Sequence, residues 1–144
     1  MPDTLPVRPA RDDETAPKSA RVNVFELAGG QPFFDGLVDR FYHGVESDTE
    51  LLAIYPDHGD LQGARRRLAL FLGQYWGGPT TYSDERGHPR LFMRHRGFPI
   101  DPAARDRWLS HMRAAVAFMD PPQSVAARLL AYFDTGAEAM RNRD

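Results

Sequence analysis

Along four long stretches of the chain, apolar residues return every third or fourth position, the period of a helix with one buried face. In "QPFFDGLVDRFYHGVESD" the set is Phe34, Leu37, Val38, Phe41, Tyr42 and Val45, behind Pro32, a residue suited to a first helical turn. From Asp60, "DLQGARRRLALFLGQYWGG" puts Leu61, Ala64, Leu68, Phe71, Leu72 and Tyr75 on one stripe and closes on Gly77 and Gly78. Asp101 and Pro102 make an N-cap and first-turn pair ahead of Trp108, Leu109, Met112, Ala115, Val116 and Met119. Asp120 and Pro121 predict the same device ahead of Val125, Leu129, Leu130, Phe133, Ala137 and Met140.

Shorter pieces connect these. "NVFELAGG" reads as a short helix ended by Gly29 and Gly30, and "TELLAIYP" as one or two turns stopping at Tyr55, because a residue before proline is biased away from helix. "PTTYSDERGHPRLFMRHRGFP" holds three prolines and two glycines, so a loop with one short helical piece carrying His95 is expected. No alternating strand pattern with a hairpin turn occurs. The fold class is all-α, with one domain over residues 22–144. Residues 1–21 hold four prolines and eight charges that cancel, with almost no aliphatic residue, and are expected to be a disordered tail.

Composition narrows the chemistry. At 144 residues one core suffices, able to bury roughly two thirds of the unfolded surface. A net charge of -2 offers no basic field for nucleic acid, and the run Arg65, Arg66, Arg67 is expected to be a solvated helix face. There is no cysteine, no apolar run of membrane-spanning length and no signal-peptide order, so a cytoplasmic protein is expected, with no membrane partner.

The five histidines form no zinc-protease helix face and no ligand pair; neither a phosphate loop nor a nucleophile elbow is present. What remains is a single histidine, His95, on a short interrupted segment, across from a long helix with an apolar face. That arrangement suits a haem iron, which takes one neutral imidazole as an axial ligand and keeps its other face for a gas.

From about Val22 to Met140 the sequence resembles the truncated haemoglobins, and more closely their group II (O-type) members familiar from actinobacteria. The resemblance rests on "ELAGG", "RFYHGV", "IYP", "RRLALFLGQYWGGPTTYSDERGHPRLFMRH" and "RDRWL". It implies a two-over-two helical sandwich that binds haem b, with His95 as the proximal iron ligand. On the distal side it implies ligand-stabilising Tyr42, Tyr55 and Trp108, with Phe41, Ala64 and Leu68 lining the pocket. Arg67 and Arg94 fall where the family places partners of the haem propionates, and Leu91 and Phe98 where it places porphyrin contacts.

The function so implied is reversible binding of O₂, CO and NO, with tight, slowly released O₂ held by a Tyr/Trp cage. The fixed indole donor of Trp108 is expected to weigh most. Conversion of nitric oxide to nitrate is a second use; since no flavin reductase domain is expected in the chain, it calls for an external reductase. A peroxidase, a gas sensor and a homodimer stay open.

Overall fold

The computed structural model describes residues 23–55 and 61–144, and every described secondary-structure element is a helix. The helices are α1 Val24–Ala28, α2 Gln31–Glu46, α3 Thr49–Leu52, α4 Gln62–Tyr75, α5 Thr81–Arg86, α6 Leu91–His95, α7 Pro102–Met119 and α8 Gln123–Met140. The expected disordered tail at 1–21 and the corner after Tyr55 lie outside the described residues.

The α2 helix is the centre, packing against α4 on one side and α7 on the other, while α7 pairs with α8. Its apolar stripe is the one the periodicity gives, and Phe34, Leu37, Phe41 and Val45 are wholly shielded from solvent. Two pairs of helices, α2 with α4 and α7 with α8, therefore form two layers around one core. Polar ties fix their register: Gln31 Nε2 donates to the Ala69 carbonyl at 2.9 Å, and Arg65 spans to Asp39 (3.0 Å) and Glu46 (2.5 Å).

Glycine closes two helices for different reasons. Gly29 takes a left-handed φ of 117° as the C-cap of α1, a conformation costly for any residue with a Cβ. Gly78 lies so close to Phe25 that a Cβ there would sit 2.4 Å from the ring. That close approach docks α1 on the end of α4, where Phe25 N–H bonds the Trp76 carbonyl at 3.0 Å.

Three expectations need correction. The 79–99 segment holds two short helices, α5 as well as α6, because Thr81–Arg86 falls between the prolines and glycines rather than across them. Asp120 does not open α8: it is the left-handed C-cap of α7, with φ 49°. The consecutive prolines explain this, since Pro121 precedes Pro122 and is steered out of the helical region, so α8 starts only at Gln123. The arginine run is not a uniform solvated face either. Arg65 is mostly covered by its two carboxylates, Arg66 pairs with Glu85 at 2.6 Å, and Arg67 turns to a cavity described below.

Asp48 is a polar hub beside the core. Its carboxylate caps α3 by accepting from Leu51 N–H, and also meets Arg107 at 3.0 Å and His111 at 2.8 Å. Burial works to raise its pKa, but the hydrogen bonds from His111, Leu51 and Arg107 prevail and hold it below the usual carboxylate value. A carboxylate with a depressed folded pKa stabilises above its unfolded value and loses that contribution as pH falls through the lower folded one. Asp48→Asn should therefore lower stability by about 1 to 3 kcal/mol near neutrality and flatten its decline below about pH 4, measured by urea unfolding across pH. Parallel curves for variant and wild type would contradict the hub.

Candidate functional site

A cavity of about 490 Å³ opens between the two helix layers, within the range of roughly 300–1,000 Å³ typical of sites for organic ligands. Apolar side chains make most of its wall: Leu68, Phe71 and Leu72 from α4, Phe133 and Met140 from α8, and Leu91 from α6. Against this background the polar groups are few, and each has a defined role.

His95 reaches the cavity from the last residue of α6. Its Nδ1 lies 2.7 Å from the Leu91 carbonyl one turn back. A carbonyl only accepts, so Nδ1 carries the proton and donates, leaving Nε2 with a bare lone pair. Burial lowers the imidazole pKa, only partly opposed by the Leu91 bond, and the Arg94 charge lowers it further. The ring is thus neutral, in one tautomer and half-buried, which is what a metal-ligating imidazole requires.

A second polar group gathers around two tyrosines. Tyr42 from α2 and Tyr55 after α3 meet edge to face, with ring centroids 5.8 Å apart. The Tyr55 hydroxyl interacts with both the Trp108 indole N–H, which can only donate, and the Tyr42 hydroxyl. Three polar side chains therefore gather in one cluster, in which the hydroxyl protons can turn and the indole proton cannot. Burial pushes the Tyr42 phenol up to about 12, only partly offset by its interaction with Tyr55 and the charges of Arg67 and Arg65. Burial likewise pushes Tyr55 well above its ordinary value. Both are neutral hydrogen-bond donors, not proton shuttles, near pH 7.

Cations surround the site: Arg67 on α4, Arg86 on α5, Arg94 on α6 and Arg105 on α7 all line the cavity. Arg105 is paired with Glu138 and Asp106. A largely apolar slot with one bare imidazole nitrogen, a cluster of hydroxyl and indole donors and several arginines fits the needs of a haem. Such a group is flat and apolar, carries two carboxylates, and has an iron that takes imidazole. Among the described residues no cluster of three metal-ligating side chains competes with His95.

Of the residues singled out by sequence, Tyr42, Tyr55, Trp108, Ala64, Leu68, His95, Arg67, Arg94, Leu91 and Phe98 all line this cavity. Phe41 does not. It is fully buried behind the wall, edge-on to Tyr42 and Trp108 at 4.9 and 5.1 Å, because the α2 stripe turns it into the helix interface. It supports the two donors from behind.

Sequence reading missed Arg86, Tyr82, Ile100 and Met140 in the wall, and Asn142 beside it. Met140 carries a signal, since it ends the α8 stripe. Asn142 carries none: apart from its neighbour Arg143, its carboxamide bonds residues more than 40 positions away, where no periodicity reaches.

Comparison with known proteins agrees with this geometry. Residues 23–142 match the model of the bacterial-like globin family. The group 2 truncated haemoglobin YjbI of Bacillus subtilis is 44% identical over 87 residues, which are 60% of this chain and 64% of that one. A group 2 truncated haemoglobin of Lotus japonicus is 43% identical over 95 residues, 65% of this chain and 56% of its own. The chain thus spans between 56% and 64% of the length of these curated relatives. Among solved structures, a thermostable haemoglobin of the actinobacterium Thermobifida fusca superposes with a TM-score of 0.81 at 49% identity, covering 84% of this chain and 98% of that one. The truncated oxygen-avid haemoglobin of Bacillus subtilis superposes with a TM-score of 0.78 at 36% identity, covering 84% and 100%.

The state of His95 can be read directly. In ¹⁵N-resolved NMR of the chain without cofactor near pH 7, His95 should show a protonated Nδ1 and a bare Nε2. A protonated Nε2 would contradict the assignment.

Proposed function

Since the chain belongs to the bacterial-like globin family, with group II truncated haemoglobins among its relatives, we propose that it holds haem b through His95 and binds O₂, CO and NO reversibly, releasing O₂ slowly. The observation that carries this reading is the cluster of Trp108, Tyr55 and Tyr42 in the same cavity as the bare Nε2 of His95. The oxygen avidity of the Bacillus subtilis relative supports it.

When bound, the haem would supply an iron able to take the His95 imidazole and a diatomic gas. The remaining work belongs to the chain. His95 is kept neutral by burial and oriented by the Leu91 carbonyl, so its lone pair is available without a proton to displace. Leu68, Phe71 and Phe133 keep the cavity apolar, which strengthens each hydrogen bond made inside it. Tyr42, Tyr55 and the Trp108 indole are the donors able to face a polar ligand atom. Ala64 is small, leaving open space beside the donors.

Slow release suits retention of O₂ better than delivery. It also suits oxidation of nitric oxide to nitrate, which needs electrons returned by an external reductase. A peroxidase or gas-sensing role is the second reading. Neutral, high-pKa tyrosines at the site make poor acid–base groups, which favours gas binding over peroxide cleavage.

The indole N–H of Trp108 is fixed and can only donate, so it is the donor expected to weigh most. A hydrogen bond to a charged acceptor contributes about 1.5–3 kcal/mol, so Trp108→Phe should speed O₂ release by about 10- to 100-fold. Tyr42→Phe should have the smaller effect, since the Tyr55 hydroxyl can turn in its place. Stopped-flow displacement of O₂ by CO on the haem-loaded protein measures both. Fast release from the wild type, or Tyr42→Phe exceeding Trp108→Phe, would count against this cage.

A further inference from the structure

The helix that presents His95 is only five residues long, too short to hold its own position. It begins on a strained residue: Arg90, its N-cap, is left-handed at φ 46° and gives no side-chain cap. Something else must fix the direction of the imidazole.

Two side chains do so from opposite ends. Before the helix, the Arg94 guanidinium folds back on the turn leading into α6. Its Nε donates to the Pro89 carbonyl at 2.6 Å, and its Nη2 to the carbonyls of Arg86 and His88 at 3.2 and 3.4 Å. After the helix, the Asn142 carboxamide holds the outgoing loop. Its Nδ2 donates to the carbonyls of Phe98 at 2.8 Å and His95 at 3.2 Å, while its Oδ1 accepts from Ile100 N–H at 2.9 Å. The backbone N–H groups of Asn142 and Arg143 both bond the Ile100 carbonyl, at 2.9 and 3.1 Å, so the segment after α8 is laced to the loop after His95.

These bonds change what Arg94 can do. A guanidinium grips a carboxylate bidentately through a pair of neighbouring N–H groups. In Arg94 the Nε and Nη2 donors are spent on backbone carbonyls, which leaves Nη1 without its neighbour. Arg67 and Arg86 differ: neither has a hydrogen bond or ion pair to a carboxylate among the described residues, and both line the main cavity. The same two arginines and Tyr82 also line a smaller cleft of about 260 Å³, whose one carboxylate, Glu85, is paired with Arg66, so both arginines stand where this cleft adjoins the main cavity.

We propose that Arg94 and Asn142 are positioning residues that hold the His95 helix from both ends, and that Arg67 and Arg86, not Arg94, receive the carboxylates of the bound cofactor. The second half rests on the haem reading above; the first concerns the fold of the chain itself.

The test uses Arg94→Gln, Arg94→Lys, Asn142→Ala and Arg86→Gln in the full chain, each checked for native helicity. Hydrogen exchange of amides 91–100, read on the chain as isolated, should quicken about tenfold in both Arg94 variants and in Asn142→Ala, and stay as wild type in Arg86→Gln. In haem-loaded ferrous protein, the iron–histidine Raman band should shift or broaden in the first three variants only. Haem loss to an excess of a scavenging apoglobin should quicken about tenfold in Arg86→Gln, with the band unmoved.

Arg94→Lys sharpens the distinction, because it keeps the charge and loses the fork. Behaviour like wild type would make Arg94 a plain cationic partner and overturn its positioning role. Unchanged exchange in Asn142→Ala would overturn the second clamp, and unchanged haem loss in Arg86→Gln would overturn the carboxylate assignment. A wild type that takes up no haem would sink the haem reading and leave the exchange result to decide the clamps.

Discussion

The structure depends on one hydrogen bond more than on any other, that from His95 Nδ1 to the Leu91 carbonyl at 2.7 Å. It decides which ring nitrogen is bare, and burial around it decides that the ring is uncharged. Everything larger serves to keep that bond in place. The α2, α4, α7 and α8 layers supply a rigid apolar frame, and a five-residue helix is pinned to its edge by side chains and not by its own length.

The opposite requirement governs the tyrosine side. There the groups must stay polar in an apolar cavity without becoming charged. Burial alone would make three unpartnered donors costly. The solution is a cluster in which Tyr55 interacts with both Trp108 and Tyr42, so that no donor stands alone in the apolar wall. Phe41, packed edge-on behind both Tyr42 and Trp108, keeps their rings at fixed angles. Selective polarity inside a largely apolar frame suits small, weakly polar gases.

The sequence made much of the frame legible. The stripes of α2, α4, α7 and α8 are set by local periodicity, and the residues on them are largely those that are buried. Asp101 caps α7 by accepting from Ala104 N–H at 2.8 Å, as an aspartate before a first-turn proline should. Asp120 fails the same rule because a second proline follows the first, a contest between neighbouring residues that a single motif does not capture. The α5 helix hides between helix breakers that flank it.

The limits of the site are physical too. Periodicity says that Phe41 and Tyr42 are buried but not that one faces a helix and the other a cavity, a difference of one residue's rotation. Partners of Arg65, Arg66 and Asn142 lie 19 to 47 positions away and exist only once the helices have packed. The central claim is that His95 alone holds a haem in this cavity. The most direct measurement is the visible spectrum of haem-titrated wild type beside His95→Gly, with and without added imidazole. The account predicts stoichiometric uptake by the wild type, a lost histidine-ligated spectrum in the variant, and its return with imidazole. An unchanged spectrum in His95→Gly would contradict it.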